Sequence, residues 1–113
     1  MKIAVVIPSK NGLHHMKECL PTVLAAAKKS TVPVSITVVV GDSTDGSMQE
    51  APALFPQVEF LENPKHGASS ARNFGVAATQ GEWLCFLDND VFVDEDFFNT
   101  AQKYLRPDVF CVA

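Results

Sequence analysis

The stretch Trp83-Leu84-Cys85-Phe86-Leu87-Asp88-Asn89-Asp90 decides how the rest of the chain is interpreted. Five apolar residues run directly into an Asp-x-Asp pair, and the apolar run is too short for a helix and has no polar alternation. Such a run predicts a strand covered on both faces, which is typical of parallel sheets. The end of this strand should therefore lie at the carboxyl edge of a sheet, where open parallel sheets bind ligands.

The two carboxylates at the end of this run allow two interpretations. Asp88 and Asp90 offer hard oxygen ligands to Mg²⁺ or Mn²⁺, which can bridge to phosphate groups. The alternative is a solvated turn, because Asp and Asn commonly form turns after any strand. The remainder of the chain has to distinguish a metal-nucleotide site from a plain turn.

Length and charge favour a single domain with a small-molecule partner. The chain has 113 residues, of which 47% are apolar and 19% charged, and its net charge is -4. We therefore expect one domain over residues 1–113. The negative charge argues against a protein that binds nucleic acid or a membrane surface. Any phosphate site must then be built locally, from a few basic side chains and backbone amides.

Cysteine usage and hydropathy predict a cytoplasmic protein. Cys19, Cys85 and Cys111 are odd in number and contain no Cys-x-x-Cys pair, so reduced thiols in the core are expected rather than disulfides or a zinc site. The apolar start, Met1 to Ile7, is too short for a signal peptide. A run of about 18 apolar residues, which a membrane span requires, is missing.

Hydrophobic periodicity predicts strands that alternate with helices along the chain. Pro8 should end the first strand, Pro21 should kink or restart the first helix near Cys19 and Leu20, and the third strand should lie nearer the sheet edge. The predicted strands are Ile3 to Ile7, Ile36 to Val40, Val58 to Glu62, Trp83 to Leu87 and Val109 to Ala113. The predicted helices are His14 to Lys29, a short helix ending near Leu54, Ala68 to Thr79 and Asp94 to Leu105.

This alternation predicts a Rossmann-like α/β fold with a mainly parallel sheet and helices on both faces. With strand order 3-2-1-4, the first and fourth strands are neighbours at the point where the crossovers reverse direction. Residues 8–11, 42–45 and 88–90 then converge on one cleft. Polar residues gather at these carboxyl ends and hardly at the amino ends, which favours a functional site there.

The familiar phosphate-binding loops are missing from the sequence. The first strand is followed by Pro-Ser-Lys-Asn-Gly, which is neither a dinucleotide fingerprint nor a P-loop. The substitute is the segment from Gly67 to Asn73, where small residues let a ligand approach a predicted helix start. Its N–H groups and Arg72 would attract phosphate. Arg72 as an ordinary surface charge is the alternative.

Four segments together resemble family 2 glycosyltransferases of the GT-A fold. Each motif alone is weak, but four in the right order and spacing are specific, and they span essentially the whole chain. They are Ile-Pro-Ser-Lys-Asn at 7–11, Gly-Asp-Ser-Thr-Asp-Gly-Ser at 41–47, Gly-Ala-Ser-Ser-Ala-Arg-Asn-Phe-Gly at 67–75 and Phe-Leu-Asp-Asn-Asp at 86–90.

The resemblance implies binding of a UDP-, GDP- or dTDP-linked sugar with Mn²⁺ or Mg²⁺. By analogy with the family, Asp90 would hold the metal, Asp88 would lie near the ribose, and Arg72 would reach the diphosphate or an adjacent loop. The nucleobase pocket would be lined by the first loop, comprising Pro8, Ser9, Lys10 and Asn11.

The chain departs from the family pattern in both nucleobase-binding loops. Many relatives have an aromatic residue before the Asn of the first loop, where this chain has Lys10. Alignment on Ser43-Thr44-Asp45 puts Val40 where an acid that contacts the base is expected. Asp42 would take over that role from a shifted position.

The resemblance also implies where the catalytic base lies. Inverting transfer needs a carboxylate base, which in the family lies well downstream of Asp-x-Asp, so we expect the donor-binding part of an enzyme. The acids at 94–96 are expected to begin a helix. Alternatives are a non-catalytic nucleotide-binding or regulatory module, or a sugar nucleotidyltransferase whose Gly-rich basic loop is missing.

If the apolar strand 109–113 is uncovered, the chain should form a two-fold homodimer.

Overall fold

The computed structural model describes residues 1–108 and contains four strands and four helices in this range. The fifth strand predicted at 109–113 lies outside the described residues. The strands are β1 (Ile3–Ser9), β2 (Val34–Val40), β3 (Glu59–Glu62) and β4 (Trp83–Phe86). The helices are α1 (Leu13–Lys29), α2 (Ser47–Leu54), α3 (Ala68–Ala78) and α4 (Phe97–Gln102).

The four strands form a parallel sheet in the order β3-β2-β1-β4, as predicted. In register, Ile3 lies beside Val34 on one side of β1 and beside Trp83 on the other. The central strands β1 and β2 consist largely of buried Val and Ile, because side chains on both of their faces meet helices. All four carboxyl ends therefore lie along one edge of the sheet.

Helices cover both faces of the sheet, which confirms the predicted layers. Alternate residues of β1 point to opposite faces. Val5 and Ile7 belong to the larger core cluster, which also contains residues of α1, α2 and α4. Val6 packs in a smaller cluster with Val39 of β2 and Ala71 of α3.

The prediction that β4 is covered on both faces is wrong. The side chains of Leu84 and Phe86 are 43% and 48% exposed, whereas Trp83 and Cys85 pack against the larger core cluster. Within the sheet formed by residues 1–108, β4 lies at the edge, and α3 packs mainly over β1 and β2. A continuous apolar run indicates a strand, but it does not determine whether that strand is central.

Pro8 does not end β1, which continues to Ser9. The carbonyl of Val6 accepts a hydrogen bond from Leu87 N–H on the β4 side, and the carbonyl of Ser9 accepts one from Gly41 N–H on the β2 side. Backbone groups of successive strand residues point to opposite neighbouring strands, so the backbone nitrogen of Pro8 points toward β4 while Ser9 bonds to the β2 side. Pro8 lies just beyond the last paired residue of β4. Its missing N–H costs no ladder hydrogen bond there.

α1 is a single helix from Leu13 to Lys29, so the predicted restart near Cys19 and Leu20 is wrong. Pro21 lies on the exposed side of the helix. The hydroxyl of Thr22 donates a hydrogen bond to the Cys19 carbonyl at 2.6 Å. The buried face of α1, with Met16, Leu20 and Val23, is continuous past the proline, and its packing offsets the lost backbone hydrogen bond.

The other helices lie where they were predicted, and α3 and α4 are shorter than predicted. α4 begins at Phe97 rather than Asp94, because Asp94 forms a turn in which its carbonyl accepts from Phe97 N–H at 2.9 Å. Ala78 is exposed at the end of α3. Among residues 1–108, the helices are all too short or too polar to cross a membrane.

Candidate functional site

A cleft of about 380 Å³ opens along the carboxyl edge of the sheet. Residues that follow all four strands line it, together with the first turns of α3. This convergence follows from the parallel sheet, because the loops after every strand emerge on the same side. The lining residues are Pro8, Ser9, Lys10, Gly41, Asp42, Asn63, Gly67, Ala68, Ala71, Arg72, Asp88, Asn89 and Asp90.

The two aspartates of the Asp-x-Asp pair lie in the turn that follows β4, residues 88–91, which we call the β4 turn. Both side chains line the cleft and are exposed. Within residues 1–108, groups of three or more His, Cys, Asp or Glu side chains that could hold a metal ion are absent. Two carboxylates without a complete protein cage fit Mg²⁺ or Mn²⁺, which use one or two carboxylates and complete their shell with water and substrate phosphates.

Arg72 brings a positive charge to the same part of the cleft. Its Nη2 atom lies 3.7 Å from Asp88 Oδ1, and its side chain is 39% exposed. Gly67 and Ala68, at the start of α3, line the neighbouring wall. The first N–H groups of a helix have no partner within the helix and carry a partial positive charge. Arg72 and the start of α3 therefore form an electropositive wall beside Asp88.

Asn63 connects the end of β3 to the start of α3. Its Nδ2 donates to Ser70 Oγ at 3.2 Å and to the Gly67 carbonyl at 3.4 Å. Its Oδ1 accepts from Lys65 N–H at 3.1 Å. A signal was present in the sequence, because Asn63 directly follows β3 and so belongs at the same sheet edge as the other polar residues.

Asp42 lines the cleft from the β2 loop, which comprises residues 41–46. Its backbone has φ of 49°, a left-handed conformation that Asp tolerates better than most residues. One carboxylate oxygen, Oδ2, contacts Nδ1 of His66, whose side chain is 87% exposed. This contact joins residues that are 24 positions apart, and no local sequence spacing indicates it.

Asn11 joins the β1 loop (residues 10–12) to the β2 loop. Its Oδ1 accepts a hydrogen bond from Thr44 N–H at 2.7 Å, and its own N–H donates to Ser43 Oγ at 2.9 Å. Its backbone also has φ of 49°. The structure thus places Pro8, Ser9 and Lys10 on the cleft wall, while the side chain of Asn11 turns toward the second loop.

Asp45 binds the first N–H groups of two helices with one carboxylate. Its Oδ2 accepts from Leu13 N–H of α1 and its Oδ1 from Ser47 N–H of α2, each at 3.0 Å. The Ser47 hydroxyl also donates to Oδ1. The residues that precede the two helices, Gly12 and Gly46, carry no capping side chain. Asp45 therefore holds the starts of α1 and α2 together.

We expect Asp45→Ala to lower the free energy of unfolding by about 2 kcal/mol, the combined scale of two lost helix caps. Partial burial raises the pKa of Asp45, but the hydrogen bonds from Ser47 and Leu13 outweigh it and leave the pKa below its ordinary value. This stabilisation should be complete above the ordinary pKa and lost as the pH falls below about 4.

Urea unfolding at pH 7 and at pH 3 measures this contribution, with Asp94→Ala as the control. The Asp94 carboxylate accepts one exposed hydrogen bond, from Asp96 N–H. The difference in free energy of unfolding between wild type and Asp45→Ala should be smaller at pH 3 than at pH 7. If Asp45→Ala lowers this free energy at pH 7 no more than Asp94→Ala does, the double cap is contradicted.

The described thiols are structural. Burial, with smaller contributions from Glu18 and Asp90, raises the pKa of Cys19. Burial raises the pKa of Cys85 to about 11. Both residues are free cysteines and remain protonated at neutral pH, so neither has the character of a nucleophile or a soft metal ligand.

Comparison with known proteins supplies a family match and sequence relatives. A model described as glycosyl transferase family 2 matches residues 4–113. Glycosyltransferase GlyA of Streptococcus pneumoniae serotype 4 is 29% identical over 105 residues, which cover 90% of this chain and 15% of GlyA.

Two solved structures share the fold at low sequence identity. TarS 1-349 of S. aureus in complex with UDP-GlcNAc superposes with a TM-score of 0.78 at 22% identity, over 92% of this chain and 31% of TarS 1-349. Mannosyltransferase PcManGT from Pyrobaculum calidifontis, in complex with GDP-Man and Mn²⁺, gives a TM-score of 0.75 at 20% identity, over 95% and 33%. The chain thus spans between 15% and 33% of these three proteins.

Proposed function

The chain belongs to glycosyl transferase family 2, and from this membership we propose that its cleft binds a nucleotide-diphosphate sugar together with Mn²⁺ or Mg²⁺. In this proposal, residues 1–113 form the donor-binding part of an inverting glycosyltransferase. The observation that carries it is the single cleft in which the Asp-x-Asp pair, Arg72 and the start of α3 meet. The complexes of the two similar structures with nucleotide sugars support the same ligand class.

The charges on the cleft wall favour a diphosphate that arrives with a divalent cation. The wall carries three carboxylates, Asp42, Asp88 and Asp90, and two cationic side chains, Lys10 and Arg72. A diphosphate alone would be repelled by the aspartates. With a divalent cation between them, the same aspartates become ligands or attractive neighbours.

Each group at the diphosphate end has a distinct role in this proposal. Asp90 would hold the metal, and Asp88, which pairs with Arg72, would lie near the ribose. Arg72 and the first N–H groups of α3 would bind diphosphate oxygens. A bound metal ion would supply Lewis-acid stabilisation of the departing diphosphate.

The nucleobase end would be formed by Pro8, Ser9, Lys10 and Asp42. A carboxylate accepts hydrogen bonds only, so Asp42 would accept one from a ring N–H or from an exocyclic amino group of the base. The ring N–H of uracil, thymine or guanine and the amino group of cytosine or adenine all meet this requirement. Asp42 is therefore compatible with UDP, dTDP and GDP without selecting among nucleotides by itself.

Calorimetric titration with UDP, GDP and dTDP, each with and without Mn²⁺, tests the proposed ligand class. We expect at least one of these diphosphates to bind, and to bind more tightly with Mn²⁺ than without it. If none of them binds at millimolar concentration, or if Mn²⁺ leaves the affinity unchanged, the proposed donor site is wrong.

A turnover assay distinguishes the donor-binding part of an enzyme from a non-catalytic nucleotide-binding module. Release of nucleotide from the matching nucleotide sugar, with transfer or hydrolysis of the sugar, would support the enzyme. Tight Mn²⁺-dependent binding without any turnover, measured in a protein as long as the relatives, would favour the module.

Arg72→Ala should weaken diphosphate binding by about 1.5 to 3 kcal/mol, the scale of a hydrogen bond to a charged group. Its ion pair with Asp88 is exposed, 39% and 68% for the two side chains, so its loss should hardly change the melting temperature. Titration and thermal unfolding of the variant measure the two effects. Arg106→Ala, at an exposed arginine after α4, is the matched control. A large drop in melting temperature for Arg72→Ala alone would assign it a structural role.

A further inference from the structure

Asn89, the residue between the two aspartates, reaches across to the end of β1. Its Nδ2 atom donates a hydrogen bond to Ser9 Oγ at 3.1 Å, between residues that are 80 positions apart in sequence. Ser9 is 6% exposed, so this contact lies at the floor of the cleft rather than on its rim. The β4 turn is thereby attached to the end of the central strand.

Gly12 leaves the space that the Asn89 amide occupies. A Cβ atom built on Gly12 would overlap the Asn89 amide group and would lie 2.5 Å from Ser9 Oγ. The backbone of Gly12, with φ of -104° and ψ of 14°, is open to any L-residue. Glycine is therefore required here because a side chain would not fit, not because of its backbone conformation. The backbone of Gly12 packs against the side chains of Ser9 and Asn89, and we call this three-residue contact the interlock.

The β4 turn has few other attachments. Pairing between β4 and β1 ends with Leu87 N–H, which donates to the Val6 carbonyl. The next backbone anchor is Val93 N–H, which donates to Thr22 Oγ1 at 3.1 Å. Between these two anchors, in the part of the chain that the structure describes, the turn is joined to other segments by the hydrogen bond from Asn89 to Ser9 and by the exposed ion pair of Asp88 with Arg72 at 3.7 Å.

We propose that Asn89 is a positioning residue, whose amide, seated against Ser9 and Gly12, fixes the β4 turn so that Asp88 and Asp90 face the metal-diphosphate in one geometry. This inference rests on the proposed function of the cleft. Two exposed carboxylates separated by one residue repel each other, and a turn held only at its ends would let them separate. Holding the turn before the ligand arrives reduces the ordering cost of binding.

A double-mutant cycle of Gly12→Ala and Asn89→Ala tests the interlock. Each single variant should weaken Mn²⁺-dependent binding of the best-bound nucleoside diphosphate by roughly tenfold, the lower end of the loss for groups that support a metal site. The added methyl group and the amide compete for one space, so the double variant should bind like Asn89→Ala instead of showing the sum of both losses. Affinity without Mn²⁺ should change much less.

Asn99→Ala is the matched control for a merely structural asparagine. Asn99 also bridges two segments, donating to the Lys29 carbonyl at 3.0 Å and accepting from Thr31 N–H at 2.9 Å, at the end of α1 away from the cleft. This variant should lower the melting temperature and leave Mn²⁺-dependent affinity unchanged. If Asn99→Ala and Asn89→Ala weaken Mn²⁺-dependent binding equally, Asn89 has no special positioning role.

The outcomes separate this proposal from the proposed function. If the wild-type chain shows no Mn²⁺-dependent nucleotide binding, the proposed function fails and the role of Asn89 fails with it. If the wild type binds but both single variants bind as tightly as the wild type, only the role of Asn89 is overturned. The same holds if the losses of the two single variants simply add in the double variant. Asn89→Ala removes atoms without adding any, so it keeps the test decisive even if Gly12→Ala does not fold.

Discussion

Replacing Asp90 with Ala is expected to remove the Mn²⁺-dependent part of nucleotide binding. The Asp-x-Asp pair offers the cation two carboxylates. Within residues 1–108, groups of three or more His, Cys, Asp or Glu side chains placed to hold a metal ion are absent. Losing one charged ligand from such a site leaves too few protein anchors. The loss should be at least about tenfold to a hundredfold, the range for residues that only support a metal ligand. Calorimetric titration with the best-bound diphosphate, with and without Mn²⁺, measures it.

Two further variants make the Asp90 result specific. Asp88→Ala should weaken Mn²⁺-dependent binding less than Asp90→Ala, because its proposed place is near the ribose. Glu82→Ala removes the same charge at the opposite edge of the sheet, where Glu82 pairs with the amino terminus at 3.3 Å. It should bind like wild type. Equal affinity for wild type and Asp90→Ala would end the assignment of the metal to this residue.

Gly75→Val is expected to destabilise the fold by about 3 kcal/mol or more, a large share of the stability of a small domain. A Cβ atom built on Gly75 would lie 2.5 Å from Val6 Cγ1 and 3.2 Å from Val39 Cγ2. Both valines are fully buried in the central strands. The larger side chain therefore forces α3 away from the sheet, because packed interiors do not absorb extra methyl groups.

Chemical unfolding of Gly75→Ala and Ala77→Val separates packing from helix propensity. On an exposed helix face, replacing Gly with Ala stabilises by about 1 kcal/mol, whereas at position 75 we expect a loss. Ala77 is exposed on the same helix, and Ala77→Val should cost only its helix propensity, less than about 1 kcal/mol. A stabilising Gly75→Ala would show that α3 packs less closely than described.

Much of the fold was predictable because periodicity and chain order constrain parallel sheets strongly. The alternation of strands and helices predicted right-handed crossovers and a parallel sheet. The order 3-2-1-4, under which the polar loops converge, is confirmed. The similarity to solved glycosyltransferases confirms the GT-A type of the fold. The resemblance to family 2, inferred from four short motifs, is confirmed by the family match.

The errors fall where long-range packing outweighs local preference. Pro8 stays in β1 because its backbone nitrogen points toward β4 beyond the last paired residue of that strand. Pro21 stays in α1 because its side of the helix is exposed. Leu84 and Phe86 are exposed because β4 lies at the edge of the described sheet. None of these facts is encoded in the residue or its close neighbours. The predicted fifth strand and homodimer depend on residues 109–113, outside the described range, and stay predictions.

The sequence by itself determined which residues reach the cleft, since a polar residue after a buried parallel strand has to emerge at the carboxyl edge. Lys10, Asp42, Asp88 and Asp90 were predicted to lie there in this way, and all four line the cleft. Only the tertiary structure decided which of these loops hold one another. Contacts such as Asn89 with Ser9, or Asp45 with the starts of α1 and α2, join side chains far apart in sequence at hydrogen-bond distance. Their formation depends on how the strands and helices are packed in three dimensions, and periodicity carries no information about that.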